Sequence, residues 1–68
     1  MPYVNIKLAG EPVSAEKKAE VIAGVTELLQ RVLDKNPATT TVIIEEVSTD
    51  NWGSGGISVS ERLRRQKG

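Results

Sequence analysis

The chemistry open to this chain narrows quickly. It contains no cysteine and no histidine, which removes thiol nucleophiles, imidazole bases, disulfides and the usual zinc sites. Serines occur, but without histidine or a nucleophile elbow they make no acyl-transfer apparatus. Glu45 and Glu46 are adjacent, and neighbours on a strand point to opposite faces, so they are not a glycosidase pair. The GSGG run follows Trp52 rather than a strand opening into a helix, so it does not read as a phosphate cradle. What remains is the start, MPYVNIKL. Removal of Met1, which aminopeptidases carry out when the second residue is small, would leave Pro2 with a secondary ring amine. An apolar site or nearby cations lower the pKa of such an amine. A base tuned near the working pH can take a proton from carbon or from an enol and return it elsewhere. Taken alone, Pro2 fits better a proline that only pre-sets a strand or protects against aminopeptidases.

The elements that would hold this amine are legible. Residues 3–8 alternate, with Val4, Ile6 and Leu8 on one face and Tyr3, Asn5 and Lys7 on the other, the mark of a strand with one apolar side. Gly10-Glu11-Pro12 breaks it. Ser14 is a good helix N-cap, and Glu16 lies in the first turn, where the helix dipole favours a carboxylate. Val21, Ile22, Val25, Leu28, Leu29, Val32 and Leu33 then recur in three- and four-residue steps, one stripe of a helix of about five turns. Asn36-Pro37 is expected to stop it. Residues 39–47, TTTVIIEEV, are β-branched almost throughout and read as a strand. Val42-Ile43-Ile44 puts apolar groups on both faces, as in a strand covered on both sides. A helix between two strands predicts a right-handed β-α-β unit with parallel strands. Gly53, Gly55 and Gly56, followed by the alternating ISVS, predict a C-terminal β-hairpin or a short strand that pairs elsewhere. The closing ERLRRQKG reads as a basic tail that frays. The fold class is thus α+β, a single domain over residues 1–68.

Size points to self-association. A core of 68 residues rarely leaves more than about 3–5 kcal/mol of net stability without a staple. With no disulfide, no zinc site, no phenylalanine and one residue each of tryptophan and tyrosine, the remaining staple is further copies of the same chain. Nine basic and nine acidic residues balance to zero net charge, so neither nucleic acid nor an acidic membrane is expected as a partner. No apolar run approaches spanning length and no leader precedes the first strand, so a cytoplasmic setting is expected.

The chain resembles the 4-oxalocrotonate tautomerase family in its short β-α-β form. The resemblance runs through MPYVNIKL, the helix EKKAEVIAGVTELLQRVL, the strand NPATTTVIIEEV, the turn DNWGSGG and the closing ISVSERLRR. The start and the aromatic-Gly-x-Gly-Gly segment are specific in combination. The resemblance implies that Pro2, after loss of Met1, is the general base in enol–keto interconversion of 2-hydroxydienoates and related 2-keto acids, without cofactor or metal. It implies a homohexamer, a trimer of dimers, in which neighbouring subunits complete each site. Trp52 stands where the family has an aromatic wall, and it also fits plain interface packing. The type enzyme grips substrate carboxylates with two arginines. Here those positions are Pro12 and Thr41, neither of which carries charge. Lys7, or Arg62 and Arg64 (with Arg65 beside it) of another subunit, are the candidate substrate-binding cations in their place. Relatives that use the same proline for hydration or dehalogenation, and an assembling domain without catalysis, are the alternative readings.

Overall fold

The computed structural model describes residues 1–67. Strand β1, Tyr3–Ala9, is followed by helix α1, Ala15–Leu33, and strand β2, Thr41–Val47. A short hairpin of β3, Gly53–Ser54, and β4, Ile57–Ser58, leads into helix α2, Val59–Lys67. The expected α+β architecture is present: β1 and β2 are parallel, joined through α1, and β3 and β4 are antiparallel.

Side-chain periodicity decides how the layers stack. In the parallel register Val4 lies beside Val42, Ile6 beside Ile44, and Leu8 beside Glu46. This is the face under α1, because Lys18 of the helix reaches Glu46 at 2.9 Å. Glu46 also accepts the Val13 N–H, just before the helix, at 3.0 Å. The other face carries Tyr3 beside Thr41, Asn5 beside Ile43 and Lys7 beside Glu45. Among the described residues no helix packs on it, and Asn51, Trp52 and Gly53 border only its Lys7 end. Within one chain β2 is sheathed on one side only, where Val42 and Ile44 are half-buried while Ile43 is exposed; the second covering is expected from another copy, since one helix covers only one side of a small sheet.

Local chemistry sets the helix ends. The Ser14 hydroxyl accepts the Lys17 N–H at 3.2 Å, an N-cap. The C-terminus differs from the expected stop at Asn36-Pro37. Helix α1 ends at Leu33 because Asp34 turns left-handed, at φ 56°. The Asp34 and Lys35 N–H groups then bond back to the Gln30 and Leu29 carbonyls at 3.0 and 3.3 Å, a Schellman-type closure. Asn36 next caps a 3-10 turn, Pro37–Thr39, so β2 begins at Thr41 rather than at 39.

The C-terminal segment is the larger correction. In place of a fraying tail it forms α2, capped by the Ser58 hydroxyl, which accepts the Glu61 N–H at 3.1 Å. The alternating ISVS therefore splits after Ser58 into strand and helix. The hairpin turns on Gly55 and Gly56, both at positive φ (64° and 87°), the conformation of a two-residue type I′ loop.

Among the described residues none is buried. The radius of gyration is 15.8 Å, against about 11 Å for a compact chain of this length. Val21, Leu28 and Val32 form a line along α1 that no strand covers, and Val32 is 60% exposed. A two-stranded sheet is too narrow for the apolar arc of this helix, and the surplus faces outward.

Candidate functional site

Pro2 sits immediately before β1, half-buried, and its carbonyl oxygen accepts the Thr41 N–H at 3.0 Å. That bond extends the parallel ladder by one step and fixes the head of β1 beside the head of β2. Met1 projects away and is 97% exposed. With Met1 in place the Pro2 nitrogen is an amide, and it becomes a secondary amine only on removal of that residue.

At the far end of the open sheet face, Lys7 and Trp52 come together. They line one shallow cleft of about 280 Å³ with Val47, Asn51 and Gly53. Trp52 arrives there because the 3-10 turn Thr49–Asn51 folds the chain back after β2, closed by the Ser48 hydroxyl on the Asp50 N–H at 3.1 Å. The Trp52 carbonyl is held in turn by the Val59 N–H at 2.8 Å. The cleft is small for a ligand site but suits a short organic acid or its apolar tail.

The Lys7 ammonium is not free. It pairs with Glu45 Oε1 at 3.0 Å across the strands. The same oxygen accepts the Asn5 Nδ2 at 2.7 Å, and that nitrogen also reaches the Tyr3 hydroxyl oxygen at 3.3 Å. Hydrogen bonding from Asn5, then from Lys7, together with the charge of Lys7, holds the Glu45 carboxyl below its usual range. The carboxylate therefore stays ionised opposite Lys7. Asn5 and Glu45 were absent from the candidate residues read from sequence. Their signal lay in the parallel register, which sets Lys7 directly opposite Glu45.

The arginines lie elsewhere. Arg62 donates from Nη2 to the Ser54 carbonyl at 3.0 Å, bracing the hairpin. Arg64 and Arg65 both bind the Glu61 carboxylate, which they pull below its ordinary range. None of them lines the cleft of Lys7 and Trp52 within one chain. Pro12 lines a second cleft, of about 230 Å³, with Leu8, Glu11 and Glu46 among its walls. The two carboxylates make that cleft a poor seat for an anion. Among the described residues no cluster of carboxylates is arranged to hold a metal ion, and no helix is long and apolar enough to cross a membrane.

Pro2 and the cleft do not meet in one chain. Five residue steps along a strand separate Pro2 from Lys7, about 16 Å, and Pro2 lines neither cleft.

Comparison with known proteins agrees with this architecture. The family model described as tautomerase enzyme matches residues 2–62. The probable tautomerase K2 of Dickeya dadantii is 63% identical over 65 residues, covering 96% of this chain and 97% of its own. The crystal structure of DmpI from Helicobacter pylori superposes with a TM-score of 0.84 at 45% identity, covering 94% of this chain and 97% of that one. A heterohexamer 4-oxalocrotonate tautomerase from Chloroflexus aurantiacus matches with a TM-score of 0.78 at 33% identity, covering 90% and 97%.

Proposed function

This chain belongs to the tautomerase family of isomerases, and from that premise we propose that Pro2, freed by removal of Met1, is its general base. The substrates are small 2-hydroxydienoates or 2-keto acids. The neutral ring nitrogen takes the proton of the enol hydroxyl. The oxygen's electrons close a carbonyl and the conjugated double bonds shift. The protonated nitrogen then delivers its proton to carbon at the other end of the shift. Protons and electrons balance with no cofactor.

The carrying observation is the setting of Pro2. It heads a strand, its carbonyl is locked to Thr41, the methionine that precedes it is exposed, and the family match begins at this residue. A base held on a rigid element suits catalysis, since positioning within about 0.5 Å matters.

The site is completed by a neighbouring copy, which brings a Lys7–Trp52 cleft up to Pro2. Support comes from the 16 Å gap within one chain (about five strand steps), from the absence of any buried described residue, and from the uncovered apolar line on α1. We read the assembly as a homohexamer, a trimer of dimers. The Chloroflexus relative is itself a heterohexamer. The balanced charge supports a protein without nucleic-acid or acidic-membrane partners, and we read it as cytoplasmic.

The test is an enol–keto assay on small 2-hydroxydienoic acids, run on protein whose intact mass shows Met1 absent, with Pro2→Ala beside the wild type. The variant is expected to lose about 10²–10⁴-fold in rate. Equal activity in both would remove the role assigned to Pro2.

A further inference from the structure

The open sheet face carries a charge arrangement that the proton chemistry does not require. Among the described residues of one chain, Lys7 is the only cation lining the Trp52 cleft, whose other walls, Val47, Asn51, Trp52 and Gly53, are uncharged. That cation is already matched, at 3.0 Å, by Glu45. Glu45 is in turn held from its other side by Asn5 at 2.7 Å, so the carboxylate does not depend on Lys7 alone for its place. A substrate whose reacting end lies at Pro2 must lay its far end in this cleft. If that end is a second carboxylate, it meets an ammonium whose charge is spent and a carboxylate that repels it. If it is an apolar tail, it meets the indole and Val47.

We propose that Glu45, with Asn5 behind it, is a positioning residue that selects substrate charge: by holding Lys7 it makes the cleft neutral, and the protein takes 2-hydroxydienoic acids with one carboxylate and an apolar far end in preference to the matching diacids. This rests on the reading of Pro2 and the cleft given above. It agrees with the resemblance, under which the type enzyme's two carboxylate-gripping arginines fall at the uncharged Pro12 and Thr41.

The experiment measures kcat and KM on a matched monoacid and diacid for the wild type, Glu45→Gln and Glu45→Asp. The wild type should favour the monoacid. Glu45→Gln keeps the hydrogen-bonding shape but frees the Lys7 charge, and should raise the diacid-to-monoacid ratio of kcat/KM about fivefold, through KM for the diacid. Glu45→Asp keeps the charge and should keep the wild-type preference. Adding Lys7→Met to Glu45→Gln should abolish the gain. Calorimetric titration of the same proteins with hexanoate and adipate reads the charge selection without turnover. A catalytically silent wild type would sink the Pro2 reading while leaving this measurement decisive. A wild type that prefers the diacid or adipate, a Glu45→Gln ratio equal to the wild type, or a gain that survives Lys7→Met would each overturn the proposal.

Discussion

The Thr41 N–H donates to the Pro2 carbonyl at 3.0 Å. This one bond couples the proposed base to the register of the sheet, because Thr41 is also the first residue of β2 and stands beside Tyr3. A slip of register would carry Pro2 with it. The position of the base is thus a consequence of how β1 and β2 pair, and of the helix that returns the chain to make that pairing parallel.

Assembly is the first consequence to check. Leu28 is 46% exposed in the single chain, midway along the uncovered line of α1. Were the chain monomeric, Leu28→Glu would change stability by no more than about 0.5 kcal/mol. With that line buried between copies it should cost about 3 kcal/mol or more, since an unpaired carboxylate would enter an apolar interface. Sedimentation of the variant should show smaller species, and the wild-type Tm should rise with protein concentration.

The helix C-terminus offers a stabilising change. Asp34 occupies the left-handed region at φ 56° and ψ 36°, where a side chain is strained and where a negative charge opposes the helix dipole. Asp34→Gly should therefore stabilise by about 0.5–1 kcal/mol. Asp34→Ala, which removes the charge but keeps a Cβ, should gain less or lose. Urea unfolding at one fixed protein concentration checks both.

Acid sensitivity follows from the carboxylates. Hydrogen bonds from Lys18, then from the Val13 N–H, hold the Glu46 carboxyl below the ordinary value of 4.5 in the folded chain. A depressed folded pKa contributes stability that is fully present above the unfolded value and is lost as pH falls through the folded one. Glu45 and Glu61 shift in the same direction, the first mainly through Asn5, the second mainly through Arg64. Glu46→Gln should lower Tm at neutral pH and flatten its decline below about pH 4.5. Added salt should shrink the difference, because the pair is solvent-exposed.

Much of this architecture could be read from residue order. The 2.0 and 3.6 periodicities placed β1, α1 and β2, Ser14 marked the start of α1, and the glycines marked the hairpin. The misses have local causes. Asp34 ends α1 by a backbone conformation that its residue type permits but does not announce, so the next strong breaker, Asn36-Pro37, drew the expectation instead. Val59 and Ser60 read as strand because ISVS alternates, and the basic ERLRRQKG reads as a tail, although Ser58-Val59-Ser60-Glu61 has the spacing of a capping box, the available signal for α2. Of the candidate site, Lys7 and Trp52 share a cleft, while Arg62 and Arg64 are engaged within the C-terminal segment. Glu45 lies far from Lys7 in sequence, and only the pairing of the strands brings its carboxylate beside that lysine and Asn5.

The central claim concerns one nitrogen. Protein labelled with ¹⁵N-proline, followed by NMR across a pH titration, reads the protonation of Pro2 directly. The account predicts a resonance that titrates as a free secondary amine, with the neutral form well populated at physiological pH. A Pro2 nitrogen that does not titrate, because methionine still caps it, or one that stays fully charged at physiological pH, would contradict it.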